Sequence, residues 1–371
     1  MADESFAVYQ RLFQKATTLK QKYSIMMSLT EMNDPQTASV MADAVRSAML
    51  VDRARLSAQD RDYFDKVLRL SIAGLGTYKA LDMQDQLMTI AVSDGDVLVR
   101  AEALIALGRM RALKHVERMS LLLKDLNLGA GDDKDGMEKL AGGAIVGLGK
   151  MGDIRGWEQV FFASQGWYSR RVKQSAEESL LSMVDDPTEA VKKIIDAEPP
   201  PLKLAALDYE TASKAPAAKK SEVAVLAFKE GAGNAGQTAQ DKTAYKYLRQ
   251  TAMEQLIANG YKDGAIVEDF HAAWAVADQD ERLLIMAALG ANGSDRAADE
   301  LSAIITAYNL QREQDAVKEE TDRMAKAALQ NAAKTGNQRV LAAVVSVTMN
   351  DKWSGGVLLA ANEAQKALKG K

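Results

Sequence analysis

The sequence predicts an all-α fold, an α-α superhelix of stacked helix pairs, and three observations predict it. The segment Asp96-Val97-Leu98-Val99-Arg100-Ala101-Glu102-Ala103-Leu104-Ile105-Ala106-Leu107-Gly108 returns in weaker versions at roughly 30 to 45 residue intervals, the mark of a repeat architecture. Ala, Leu and Met are abundant and the 371 residues hold only 6 prolines, so most of the chain loses little side-chain freedom in a helix. Between turn signals the apolar residues recur at helical spacing. A single pair cannot cover both of its apolar faces, so pairs must stack on neighbours.

In chain order, residues 17–32 form the first clear helix, and Asn33-Asp34-Pro35 restarts one through Val40, Met41 and Val45. Asp34 is expected as N-cap and Pro35 at the first helical position. Further helices run from Asp65 to Leu75, Asp96 to Leu107, Met137 to Leu148, Ser169 to Met183, Tyr245 to Ala258 and Asp280 to Leu289. Gly76, Gly108, Gly149 and Gly290 follow four of them directly. These glycines are expected just past the helix, in the left-handed conformation that penalises a Cβ. Asp153 after Gly152, and Ser294-Asp295 after Gly293, supply caps for the next helices. Ile154, Trp157, Val160 and Phe161 share one stripe, and Leu301, Ile304, Ile305 and Tyr308 another. Glu313, Asp315, Glu319, Arg323 and Lys326 are expected on a single exposed helix, where each i, i+4 pair contributes only about 0.2 to 0.5 kcal/mol.

The pattern Asp-x-x-Val-Arg-x-x-Ala-x-x-Ala-Leu-Gly, met by Asp96, Val99, Arg100, Ala103, Ala106, Leu107 and Gly108, resembles the second helix of HEAT repeats, which are armadillo-type α-solenoids. Ser169, Val172, Lys173 and Ala176 make a weaker copy, as do Asp280, Arg282 and Ala287-Ala288-Leu289-Gly290. The resemblance covers residues 17–350 or so and implies about eight or nine repeats. It also implies a right-handed superhelix whose second helices line the concave wall, and a structural ladder containing Asp96 and Arg100.

Regularity is expected to fail once. Glu198-Pro199-Pro200-Pro201 cannot continue a helix, because each proline lacks an amide donor and restrains the residue before it. Residues 214–220 and 231–237 read as loops. The expected organisation is therefore repeats over 1–198, an irregular Pro/Gly-containing segment over 199–241, and repeats over 242–371, all in one continuous solenoid.

Composition narrows the function. A net charge of −4 disfavours a nucleic-acid binder, whose affinity comes largely from phosphate neutralisation. No run of about 18 apolar residues is present, so no membrane span is expected. Without cysteine, and with only His115 and His271, disulfides, thiolate chemistry and ordinary zinc sites are excluded, and no cofactor is expected. The start, Met1-Ala2-Asp3-Glu4-Ser5, lacks the basic and apolar regions of a signal peptide. The expected compartment is the cytoplasm; the alternative, suggested by the absence of cysteine, is an exported or periplasmic protein whose leader was replaced by Met1.

Four constellations bear on catalysis. Gly147-Leu148-Gly149-Lys150-Met151-Gly152 matches a dinucleotide fingerprint, but it follows a helix, where its glycines serve as stop and turn. Gly231-Ala232-Gly233-Asn234-Ala235-Gly236 follows Val223 to Phe228, which can be read as a strand, yet no βαβ series surrounds it. Asp132-Asp133-Lys134-Asp135-Gly136 resembles part of a calcium loop in the wrong register, with Gly131 at the first ligand position. His115 and His271 lack the partners of a nucleophilic or metal site and are expected to be structural or on the surface.

The richest local composition is Trp157 to Arg171. Aromatic residues and Arg dominate protein interfaces, so Phe162, Trp167, Tyr168, Arg170 and Arg171 are the candidate partner-binding residues. Trp167 and Tyr168 are expected in the turn between two helices, where function often resides. The expected role is a non-catalytic scaffold or adaptor for a protein or peptide partner. The alternatives are an enzyme on the same fold, of the bilin lyase or DNA glycosylase type, and a structural subunit of a larger complex.

Overall fold

Short polar side chains cap several of the helices of this protein, as seen in a computed structural model that describes residues 2–93, 95–315 and 320–370. Asp96 Oδ1 accepts hydrogen bonds from the backbone N–H groups of Leu98 and Val99 at 2.9 and 3.1 Å, which satisfies donors that a helix start leaves open. Thr18 and Thr238 form capping boxes with Gln21 and Asp241. Ser294 caps the helix that follows it, and Asp153 caps a 3-10 turn, as their positions after Gly293 and Gly152 predict. Asp34 accepts from Gln36 N, so that helix begins two residues beyond Pro35, at Thr37.

The contacts divide the chain into two compact units, up to Asp185 and from Asp186 onward. The first holds α1 (Ala2–Lys15) with α2 (Leu19–Glu31), α3 (Thr37–Ala48) with α4 (Ala58–Thr77), α5 (Gln84–Ala91) with α6 (Val97–Met110), α7 (Val116–Asn127) with α8 (Lys134–Met151), and α9 (Trp157–Gln165) with α10 (Arg170–Met183). The second holds α11 (Thr188–Ala197) with α12 (Pro200–Ala212), α13 (Ala217–Gly233) with α14 (Ala239–Ala258), α15 (Val267–Trp274) with α16 (Gln279–Asn292), α17 (Asp295–Glu313) with α18 (Thr321–Thr335), and α19 (Leu341–Thr348) with α20 (Gly355–Lys369). Among the described residues there is no strand, and the fold is all-α, as predicted. In each unit the two helices of a pair pack together and second helices lie side by side: α2, α4, α6, α8 and α10 in one, α12, α14, α16, α18 and α20 in the other. Five pairs fill each unit, against about eight or nine repeats expected in all. Pairs such as α1 with α2 and α11 with α12 lack the Leu-Gly signal by which repeats were recognised.

That signal is one turn earlier than its sequence reading. Gly76, Gly108, Gly149 and Gly290 are not past their helices; each is helical, in the last turn or so of α4, α6, α8 and α16. The left-handed residues come three positions later, at Lys79, Arg111, Gly152 and Gly293. At the first two, paired backbone bonds close the helix: Lys79 N donates to Gly76 O and Ala80 N to Leu75 O, then Arg111 N to Gly108 O and Ala112 N to Leu107 O. The glycine inside the helix serves packing. A Cβ on Gly108 would stand 2.4 Å from Gly147 O, and one on Gly76 would stand 2.8 Å from Ala106 Cα, so neighbouring second helices touch backbone to backbone.

Three other expectations change. The stretch from Pro200 to Gly233 is two helices, with breaks only around Pro199 and Ser213 to Pro216, because Pro199 and Pro216 occupy N-cap positions where a missing amide costs nothing. Val223 to Phe228 is likewise helical within α13. The charged run is not one helix: α17 stops at Glu313, Asp315 has a φ of +53°, and α18 begins at Thr321, while Glu319 lies outside the described residues.

Candidate functional site

Each helix pair has a turn between its first and second helix, and these turns form an edge within each unit. Apolar residues stand on it. Leu50 follows α3, Leu128 follows α7, Val276 follows α15 and Met349 follows α19, and they are 89, 82, 76 and 80 % exposed. They are the four most exposed large apolar residues among those described. Isolated surface apolar residues need no explanation, but four at one structural position form a pattern. Val92, directly after α5, is exposed at the same position.

The aromatic segment read from the sequence meets this edge at the α9–α10 turn, and most of it is committed to the fold. Trp157 stacks on Phe161 with ring centroids 5.6 Å apart, both fully buried, and Phe162 meets Phe161 edge-on while half-buried. Trp167 Nε1 donates to Leu126 O at 3.0 Å, at the end of α7. Tyr168 is 4 % exposed, and its hydroxyl donates to Asn127 Oδ1 at 2.9 Å. Its pKa is pushed above the ordinary tyrosine range by burial and by the nearby Glu138. The placement of Trp167 and Tyr168 in a turn is therefore right, and the turn clamps α7 of the preceding pair. The α19–α20 turn is built alike: Trp353 Nε1 donates to Asn309 Oδ1 at 2.8 Å, with the Arg312 guanidinium over its ring. Arg170 and Arg171 differ. Both are exposed at the start of α10, and neither forms an ion pair among the described residues.

Arg100 is structural, but in a different way from a charge ladder with Asp96. Its Nε donates to Ala91 O, the last carbonyl of α5, at 3.1 Å. Arg282 repeats this on Trp274 O, the last carbonyl of α15, at 3.3 Å. A cation four residues into the second helix thus closes the carbonyl end of the first. Of the two histidines, His115 is buried with Nε2 2.8 Å from Asp85 Oδ1. Lys114 shares that carboxylate, and together they hold Asp85 below the usual range, Lys114 foremost. Asp133 caps α8 through Gly136 N, and Asp135 pairs with Lys139, so these calcium-like residues have structural partners. Gly147 and Gly149 lie inside α8 against neighbouring helices, which removes the first dinucleotide match from loop geometry.

Sequence reasoning missed a groove of about 390 Å³ in the second unit, between the pair α15 with α16 and the pair α17 with α18. Its long wall is one face of α17, from Glu300 through Ala303, Ala307 and Tyr308 to Gln311, and the short alanines leave the space. Opposite stands Trp274, with the Arg282 guanidinium 5.3 Å from its ring centroid. His271 Nδ1 lies 2.8 Å from Glu300 Oε1 at one end, and this hydrogen bond and the carboxylate charge raise the imidazole pKa. Tyr308 is raised chiefly by burial. The legible signal was the repeat of small residues at Ala303 and Ala307, which reads as ordinary helix packing until the neighbouring pair is placed. In the first unit a smaller slot of about 270 Å³ lies between the pair α3 with α4 and the pair α5 with α6, lined by Met49, Val51, Phe64, Ile90, Val99 and the Arg53–Asp65 pair.

The fold thus defines an all-α protein of stacked helix pairs. No protein-family model matches the chain, and no curated protein does. Among solved structures it is similar to human deoxyhypusine hydroxylase in complex with glycerol, at 16% identity over 91% of this chain and 100% of that one, with a TM-score of 0.31. It is also similar to importin beta, crystallised in a polyethylene glycol condition, at 13% identity and a TM-score of 0.38. That match covers 98% of this chain and 54% of the importin beta chain, so this chain spans about half of its length. With TM-scores this low, neither likeness carries an argument about function. No described helix is long and apolar enough to cross a membrane.

Proposed function

We propose that this protein is a non-catalytic binding scaffold that engages a protein or peptide partner along the edge that the intra-pair turns form within each unit. The observation that carries this reading is the exposure of Leu50, Leu128, Val276 and Met349 at one structural position. A turn is ordinarily polar, and an apolar side chain held almost fully in water gains by association. Neighbouring helices pack about 8 to 10 Å apart, so successive turns offer contacts at a spacing that an extended segment can follow. Arg170 and Arg171 extend the edge at α10 with charge, and Phe162 and Trp167 contribute their exposed margins. Tyr168 supports the turn from inside and offers no surface of its own.

The experiment places a photo-crosslinking residue at Leu50, at Leu128 and, as a control on an exposed helix face, at Leu181, in the intact chain in its native extract. A discrete protein captured at the two turns and not at the control supports the reading, provided that the double variant Leu50→Asp, Leu128→Asp keeps its helicity and loses that protein. Equal capture at Leu181, or recovery unchanged in the double variant, overturns it.

A further inference from the structure

The groove in the second unit has the shape and charge of a peptide site. From Glu300 to Gln311 the α17 face runs for about 16 Å at the rise of an α-helix. An extended segment of roughly five residues has that length. Part of the lining is apolar, with the buried Ile304 and Met324 beside Ala303 and Ala307. In the rest the charges do not balance. The lining holds the carboxylates of Asp278, Glu300 and Glu320 against Arg282 and the imidazole of His271. Asp278 is satisfied from outside the groove by Lys246 and caps α16 through Glu281 N. Arg282 is held to the wall by Trp274 O and the Trp274 ring but pairs with no carboxylate among the described residues and keeps its charge, so with Asp278 set against Lys246 the groove holds one carboxylate more than its permanent cations. That leaves Glu320 with no ion pair among the described residues, and Glu300 with His271 alone. Tyr308, half-buried in the same lining near Arg282 and Glu320, supplies an aromatic face of the kind that attracts cations.

We propose that this groove takes a short, extended peptide segment combining apolar and basic side chains, the apolar ones over Ala303 and Ala307 and the basic ones against Glu300 and Glu320. This rests on the scaffold reading and gives it a recognition chemistry. Val276, exposed on the turn that borders the groove between Trp274 and Ala277, continues the contact outward.

The test uses the full chain and four fluorescein-labelled octapeptides, alternating Leu with Lys, Leu with Glu, Leu with Ser, and Ser with Lys, read by anisotropy. The Leu/Lys peptide is expected to bind at least about tenfold more tightly than the Leu/Glu peptide, with an affinity that falls as salt is added. Ala307→Trp fills the groove and should abolish binding. Should that variant fold poorly, Glu320→Lys at the rim leaves packing intact and should weaken the Leu/Lys peptide while strengthening the Leu/Glu peptide. Equal binding of all four peptides, or binding unmoved by Ala307→Trp in a folded chain and by Glu320→Lys, overturns the proposal. Capture at Leu50 and Leu128 with no peptide in the groove would sink this inference alone. A peptide in the groove with no capture at those turns would sink the edge and leave the groove standing.

Discussion

Gly108 and Gly147 bring α6 and α8 together at the backbone: a Cβ on Gly108 would lie 2.6 Å from the Gly147 Cα and 2.4 Å from its carbonyl oxygen. No side-chain rotation relieves such a contact, because both partners are main chain. The helix closes three residues later at Arg111, so one short stretch both brings α6 against its neighbour and turns the chain toward α7.

Gly108→Ala should therefore cost about 1 to 3 kcal/mol in urea unfolding, as overpacking does in a rigid interior. Gly142→Ala is the control within α8, since a Cβ there meets nothing within 4 Å, and it should stabilise by about 0.5 to 1 kcal/mol through helix propensity alone. Equal effects from the two substitutions would refute the close approach of α6 and α8.

Lys79 occupies a left-handed conformation with a φ of +54°. Glycine adopts it without the Cβ penalty, so Lys79→Gly should stabilise by roughly 0.5 to 1 kcal/mol after the loss of unfolded-chain restriction is counted. Lys79→Ala, which keeps the Cβ, should give no such gain in the same denaturation assay.

Tyr168 links the α9–α10 turn to Asn127, and the two substitutions there separate hydrogen bond from packing. Tyr168→Phe removes only the donor and should cost about 0.5 to 1.5 kcal/mol, the net worth of an ordinary hydrogen bond, because the half-buried Asn127 can turn to water. Tyr168→Ala should cost about 3 to 5 kcal/mol, because a cavity opens as well. The folded pKa is raised above the ordinary tyrosine value, so this group's stabilisation is complete below that ordinary value and is lost as pH rises toward the folded one. An alkaline titration followed by tyrosinate absorbance should show its ionisation only with unfolding, and the Phe variant should lack that component.

Glu210 is buried on α12, with Oε1 accepting from Thr188 Oγ1 at 2.8 Å and Oε2 without a partner among the described residues. Burial raises its pKa above the ordinary glutamate value, opposed by the Thr188 hydrogen bond. The sign follows: its contribution is fully present below that value and lost as pH rises through the folded pKa. Glu210→Gln should raise the melting temperature at pH 8 and do little at pH 4, so the difference from the natural chain should grow with pH. A constant offset at both pH values would contradict the assignment.

Helix positions, caps and the pairing of helices were legible in the sequence because they depend on neighbours a few residues apart. Asp96 and Ser294 accept from backbone amides within one turn, Pro199 breaks the helix before it because it has no amide to donate, and the Ala/Leu periodicity of α6 names its buried face without reference to any other helix. What the tertiary structure decided is which of two local roles a residue takes. Leu107-Gly108 can equally end a helix or press it against another, and only the arrival of Gly147 assigns the second. Trp167 and Tyr168 look like interface residues by composition, but the end of α7 reaches them from about 40 residues away and hydrogen-bonds both. Exposure is likewise a difference between what a side chain offers and what the fold brings to cover it, which is why Leu50 and Leu128 carry no mark in the sequence and stand out only once the pairs are stacked.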